Sequence, residues 1–181
     1  MLLDTPICDF GWKAPDFTLK DPSGRAFTMR DQLGDKGLLI AFICNHCPYV
    51  QAIGERLAED TAELMAEGIN VLAVMSNDYR RVGADSPPNM LKFAQQYGFS
   101  FPYLVDEDQS VGKAYGAVCT PDFFGFNKDG ELQYRGRLDD ARMEGGAGRV
   151  RELVDAMRQI AETGEGPREQ TPSMGCSIKW A

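Results

Sequence analysis

Two cysteines three positions apart, Cys44 and Cys47, with the only histidine of the chain between them, are the residues best suited to chemistry. A Cys-x-x-Cys either helps to hold a metal or cycles between dithiol and disulfide. Zinc asks for about four ligands. His46 lies inside the motif itself, and Cys119 and Cys176 add no second closely spaced pair. The redox reading is therefore preferred, with no metal and no cofactor called for. The thiolate, not the thiol, does this chemistry, so the question becomes what would stabilise one.

The motif follows six apolar residues, Leu38 to Ile43, that read as a strand buried on both faces. After it, Val50, Ile53, Leu57, Leu64 and Met65 fall on one face of a helix that Gly68 stops. Pro48 fits only in a first helical turn, which places the helix start at about Cys44 to Cys47. Cys44 is then expected at the helix N-terminus, exposed, and more acidic than Cys47, because unpaired N–H groups and the helix dipole favour an anion there. Asn45 and His46, the residues between, are placed as modulators. A partly protonated His46 would favour the Cys44 thiolate. That moves the couple toward the oxidising end of a range of roughly −270 to −120 mV.

Thr120-Pro121 sits after a short helix and before an apolar strand. A cis peptide is expected there, leaving the Thr120 backbone free to pair with an extended substrate. Cys119 beside it reads as a small buried hydrophobe; the alternative is an auxiliary thiol near the pair. Cys8 and Cys176 lie in opposite terminal segments. Both read as inert; the alternatives are that one of these thiols exchanges with the active pair, or that the two join each other. Ser76-Asn77-Asp78 and the run Arg137 to Asp140 read as solvated loops.

These residues need a scaffold, and the periodicity supplies one. Ala14 to Leu19 reads as a strand, Asp21 to Gly24 as a turn, and Ala26 to Met29 as the returning strand. Ile69 to Met75 is a second apolar strand. A helix capped by Ser86-Pro87 follows, with Met90, Phe93, Ala94 and Tyr97 inward. Phe101 to Val105 is a strand, Ser110 to Tyr115 a short helix. Asn127 to Gly130 turns a hairpin between Phe123–Phe126 and Glu131–Arg135. Arg149 to Ile160 is the last helix, with Val150, Leu153, Val154, Met157 and Ile160 inward. The order β-β-β-α-β-α-β-α-β-β-α implies an α/β three-layer sandwich: a central mixed sheet, helices on both faces and an N-terminal β-hairpin extension. One domain is expected over 1–163. The Gly/Pro-rich tail, 164–181, is expected to dock on it, because Ile178 and Trp180 favour burial.

The 181 residues suit one domain, and a hydrophobic fraction of 43% suffices for its core. A net charge of −8 gives no electrostatic reason to bind nucleic acid or an anionic membrane. Met1 to Phe10 has neither a basic region nor an apolar core, so a cytoplasmic location is expected. A Cys-x-x-Cys in that compartment is more often catalytic or metal-binding than structural.

The chain resembles the thioredoxin-like superfamily over roughly residues 11 to 163. The Cys44-Asn45-His46-Cys47 motif after a buried strand, Thr120-Pro121 before the hairpin, and Ala14-Pro15-Asp16-Phe17-Thr18-Leu19 carry the likeness. The last of these, with Asp129-Gly130, resembles the redoxin branch that holds peroxiredoxins of the alkyl hydroperoxide reductase/thiol-specific antioxidant type. Within it, the chain is similar to peroxiredoxin-like proteins ending in Gly-Cys-Ser-Ile-Lys-Trp, here Gly175 to Trp180. The resemblance implies that Cys44 attacks, Cys47 resolves and Pro121 is cis. It also marks departures. With Cys47-Pro48 aligned on the peroxidatic thiol, Ile40 and Cys44 replace the proline and threonine of peroxiredoxins, and the activating arginine is missing near Pro121. The buried aspartate of thioredoxin is Leu38 here, and its tryptophan is Ile43.

The leading expectation is a thiol–disulfide oxidoreductase working by mixed-disulfide exchange. Its partners would be a protein or small-molecule disulfide and a thiol reductant; oligomeric state is left open. A peroxiredoxin-like thiol peroxidase and a non-catalytic redox-sensing module are the alternatives.

Overall fold

The computed structural model describes all residues, 1–181. Its strands are β1 (Leu2–Asp4), β2 (Thr18–Lys20), β3 (Ala26–Thr28), β4 (Leu38–Phe42), β5 (Asn70–Met75), β6 (Tyr103–Val105), β7 (Cys119–Thr120), β8 (Asp122–Phe126), β9 (Leu132–Tyr134) and β10 (Met174–Ser177). Its helices are α1 (Met29–Gln32), α2 (Pro48–Ala66), α3 (Pro87–Tyr97), α4 (Ser110–Tyr115) and α5 (Glu152–Thr163).

β4 is the axis of the molecule. It pairs parallel with β5 on one side and antiparallel with β8 on the other. Its backbone is thus satisfied along both edges and every residue is buried. Side chains alternate across the sheet. Leu39, Ala41 and Ile43 join the core under α2, α3 and α5, while Leu38, Ile40 and Phe42 join the opposite core with Val111 and Tyr115 of α4. The seven-stranded mixed sheet runs β3-β2-β6-β5-β4-β8-β9, with a helical layer on each face. This is the thioredoxin-like arrangement. The expected N-terminal hairpin, β2–β3, is the edge of this sheet, joined through Lys20 to Val105.

Several local expectations are corrected. Only Thr18 and Leu19 of the first expected strand fall in a strand, which runs on to Lys20. The last helix begins at Glu152 rather than Arg149, and Val150, expected inward, is exposed. Both ends of the chain carry strands that the sequence does not mark. β10 lies between β1 and β7 in a second, three-stranded sheet. Its sequence, Met-Gly-Cys-Ser, has neither alternation nor a β-branched residue. It is a strand because two edges far away in sequence supply its hydrogen bonds. No helix is long and apolar enough to cross a membrane.

Candidate redox site

The end of β4 delivers the motif. Ile43 continues the ladder, its N–H donating to Val74 O at 3.1 Å, and the chain then turns through Cys44–Cys47 into α2. Cys47 is the N-cap of α2 and Pro48 its first residue, so the helix starts at the late end of the expected range. Cys44 lies three residues upstream, in the turn. Both sulfurs are buried, Cys44 being 1% exposed and Cys47 0%, which corrects the expectation of an exposed Cys44.

The N–H groups expected to serve a Cys44 thiolate have another partner. Asp85, buried in a 3-10 turn (Gly83–Asp85) just before α3, accepts from Asn45 N at 2.7 Å and His46 N at 3.2 Å on one oxygen. Its other oxygen takes His46 Nδ1 at 2.5 Å and Asn77 Nδ2 at 2.9 Å. Asn45 is locked in turn. Its amide donates to Ala84 O at 3.0 Å, its side-chain oxygen accepts from Tyr103 OH at 2.9 Å, and its carbonyl accepts from Gln51 Nε2 at 2.8 Å. Asn45 and Asp85 therefore hold the turn in shape.

The charges follow from this geometry. The hydrogen bond to Asp85 raises His46 above its ordinary value, against the opposing pull of burial. Burial pushes the Asp85 carboxyl up, but the donors from His46, Asn77 and Asn45 outweigh it and hold the group below the usual carboxylate range. For the thiols the expected order is reversed. Cys44 is pushed far above the thiol range by its hydrogen bond to Cys47, by burial and by the Asp85 carboxylate. Cys47 is pulled down to about 4, first by the Cys44 hydrogen bond and, against burial, by Thr120 and Cys176. The opposed shifts favour a thiolate on Cys47, at the start of α2, over one on Cys44 beside Asp85.

On the substrate side, Thr120-Pro121 is a cis peptide. Thr120 Oγ1 lies 3.4 Å from Cys44 Sγ, and Thr120 O lies 3.4 Å from Cys47 Sγ. The Thr120 backbone, expected to be free, is occupied: Thr120 is paired with Cys176 and Cys119 with Ser177 of β10. Cys119 is fully buried and its thiol is pushed up to about 12 by burial. Cys8 is half-buried and its thiol is pushed up to about 11 by burial, against the opposing effect of Gln170. Beside Pro121 runs a groove of about 620 Å³ whose walls include Tyr49, Ile53, Phe123 and Met174.

Two loops read as solvated are corrected. Ser76, Asn77 and Asp78 are buried. Asn77 links the site to the tail, giving Nδ2–H to Asp85 and accepting Lys179 N–H at 2.7 Å. In the other run, Asp139 is buried between Arg56 at 2.9 Å and Arg149 at 3.0 Å. Asp85 itself was missed: it stands in a polar loop with no spacing to set it apart. Cys44, His46 and Asp85 offer ligand atoms within 4.8 Å of one another. Each Asp85 oxygen already accepts two N–H groups, so a cation there would have to displace those donors.

The AhpC/TSA family pattern matches residues 10–135. The chain belongs to the AhpC/TSA family. A crystal structure of an uncharacterized conserved protein from Geobacillus kaustophilus is 39% identical, covers 100% of this chain and 97% of that one, and superposes with a TM-score of 0.93. A hypothetical protein from Sinorhizobium meliloti 1021 is 38% identical, covers 98% and 97%, and has a TM-score of 0.90. The thiol-disulfide oxidoreductase ResA of Geobacillus thermodenitrificans is 31% identical over 123 residues, which are 68% of this chain. The match spans 66% of that ResA. The structural likeness to the first two therefore takes in the β10 segment.

Proposed function

We propose that this protein is a thiol–disulfide oxidoreductase whose redox pair is Cys44 and Cys47. The observation that carries the reading is the convergence of both sulfurs on Thr120, next to Pro121, with the His46–Asp85 pair behind Cys44. The ResA likeness supports the same reaction class.

The opposed shifts of the two thiols suggest how a buried thiol with a raised pKa attacks. As Cys44 Sγ approaches a substrate disulfide, its proton passes to the Cys47 thiolate, which serves as the base. The substrate S–S bond breaks, Cys44 forms a mixed disulfide, and one substrate thiolate leaves. Cys47 gives its proton to that thiolate and attacks Cys44 Sγ. The second substrate thiolate leaves, and the Cys44–Cys47 disulfide remains for a thiol reductant. High thiol basicity raises the intrinsic nucleophilicity of the attacking sulfur, which suits Cys44. Protonated His46 offsets the Asp85 charge that would otherwise oppose a thiolate on Cys44. The groove beside Pro121 offers apolar walls to a protein or small-molecule disulfide. The test is reduction of insulin disulfides, followed by turbidity with dithiothreitol as reductant, for the wild type and for Cys44→Ser. Turnover that survives in the variant rejects Cys44 as the attacking thiol.

One observation favours a second reading. Cys47 is the more acidic thiol and precedes proline, as a peroxidatic cysteine would in the AhpC/TSA family. Rapid formation of a Cys47 sulfenic acid by hydrogen peroxide in the Cys44→Ser protein would establish it.

A further inference from the structure

A third thiol stands at the redox pair. Cys176 is the Cα partner of Thr120 across the antiparallel β7–β10 ladder. Directly opposed residues put their side chains on the same side of a sheet. The Thr120 side chain touches Cys44 Sγ at 3.4 Å, so the Cys176 side chain is turned to that same side. It packs on the core cluster that holds Cys44 and Cys47, β10 lies against α2, of which Cys47 is the N-cap, and Cys176 helps to pull the Cys47 thiol down. Cys119 is excluded by the alternation of the strand: as the neighbour of Thr120 it faces the other way.

The seat is built rather than incidental. β10 is the middle strand of its sheet, held by β1 on one side and β7 on the other. Gly175 lies so close to Thr120 that a Cβ there would stand 1.7 Å from the Thr120 carbonyl oxygen. Beyond Cys176, Ile178 N donates to Val118 O at 3.0 Å and the Lys179 carbonyl accepts from Asp78 N and Gln109 Nε2, each at 2.8 Å. The tail thus occupies the strand edge that an extended substrate would pair with, and it carries a cysteine at the position of contact.

We propose that Cys176 is a third redox thiol that exchanges with the oxidised pair. This rests on the reading of Cys44 and Cys47 as a redox couple. Cys176, deprotonated, attacks Cys47 Sγ of the Cys44–Cys47 disulfide. The Cys47–Cys176 bond forms, the Cys44–Cys47 bond breaks, and the electron pair leaves on Cys44 as a thiolate. That thiolate takes up the proton Cys176 gave to solvent. No net oxidation occurs: the disulfide moves from the pair to the tail, and Cys44 regains its nucleophile while the protein stays oxidised by two electrons.

The test uses the full chain equilibrated with glutathione/oxidised glutathione mixtures, quenched in acid, alkylated and mapped by peptide mass spectrometry. The expected result is both Cys44–Cys47 and Cys47–Cys176 peptides in the wild type. The second should reach at least about one tenth of the first, which is a cost of no more than about 1.4 kcal/mol. Cys44→Ser should form Cys47–Cys176, and Cys176→Ser should form only Cys44–Cys47. A wild type and a Cys44→Ser protein that both lack Cys47–Cys176, or a Cys44→Ser protein that joins Cys47 to Cys119 instead, overturns the proposal and leaves the redox pair standing. A wild type that never forms Cys44–Cys47 overturns the pair as well, and with it the exchange.

Discussion

Replacing Asp85 by Asn tests the centre of the site because the carboxylate is saturated. It accepts four N–H groups: the backbones of Asn45 and His46, His46 Nδ1 and Asn77 Nδ2. In Asp85→Asn one oxygen can keep the two backbone donors. The new amide nitrogen then faces His46 and Asn77. A neutral His46 can accept from it, but the Asn77 amide is left without an acceptor inside the protein. A buried donor without a partner costs about 1–3 kcal/mol, and charge-assisted bonds that become neutral lose about 1 kcal/mol more. The expected loss is about 2–4 kcal/mol, or about 4–16 °C in Tm for a domain of this size.

The same substitution has a titration signature. His46 is the only histidine, so one imidazole Hε1 resonance reports it. It is raised by Asp85 and lowered by burial. With the carboxylate gone, its midpoint should fall to or below the ordinary value of about 6.5. The stability difference between wild type and variant should depend on pH in a defined way. The His46 contribution is fully present below about pH 6.5 and is lost as pH rises through the raised folded value. The Asp85 contribution is present above about pH 4 and is lost as pH falls through the depressed folded value. The gap should therefore be widest between about pH 4 and 6.5. An Asp85→Asn protein whose His46 still titrates above the ordinary value, or whose stability gap is flat from pH 4 to 9, refutes the account.

The remaining expectations concern the sulfurs and the tail. Cys47→Ser should trap a mixed disulfide between Cys44 and a disulfide substrate, visible as a mass adduct, because the resolving thiol is gone. In that variant the Cys44 alkylation rate should show an apparent pKa above the ordinary thiol value of about 8.5, since burial and Asp85 oppose its thiolate. Gly175→Ala forces a Cβ onto the Thr120 carbonyl, which cannot yield as a side chain tip would. It should cost about 1–3 kcal/mol in chemical denaturation and speed alkylation of Cys176 in the native protein.

What the sequence made legible divides along a physical line. β4, β5, α2 and α3 were readable because each carries its own periodicity, continuous for the doubly buried strands and 3.6 for the helices. Cys44, Cys47, Thr120 and Pro121 were readable because their local patterns have few other uses. Asp85 and Asn77 were not, since their roles exist only after β5 and α3 have been laid beside the β4–α2 turn. The error about Cys44 has the same origin. From the sequence, free N–H groups at a helix start must find an anion, and a thiolate was the nearest candidate. The fold supplies a carboxylate instead, 39 residues away in the chain.

That substitution of one anion for another changes what the tail can do. With Asp85 taking the N–H groups of the turn, a thiolate is favoured on Cys47 over Cys44, and Cys176 of β10 packs on the cluster that holds both. Asn77 ties the two arrangements together, since its amide gives one bond to Asp85 and takes one from Lys179. A tail that leaves β7 would withdraw Cys176, which helps to lower the Cys47 thiol, and release Asn77 from Lys179. Both losses would weaken the groups that now favour a thiolate on Cys47. An extended substrate pairing at Thr120 would require that departure, because β10 holds the same edge. In the proposed exchange, opening the edge and raising the affinity of Cys47 for a proton would be consequences of one movement, and the thiol freed by that movement would be Cys44.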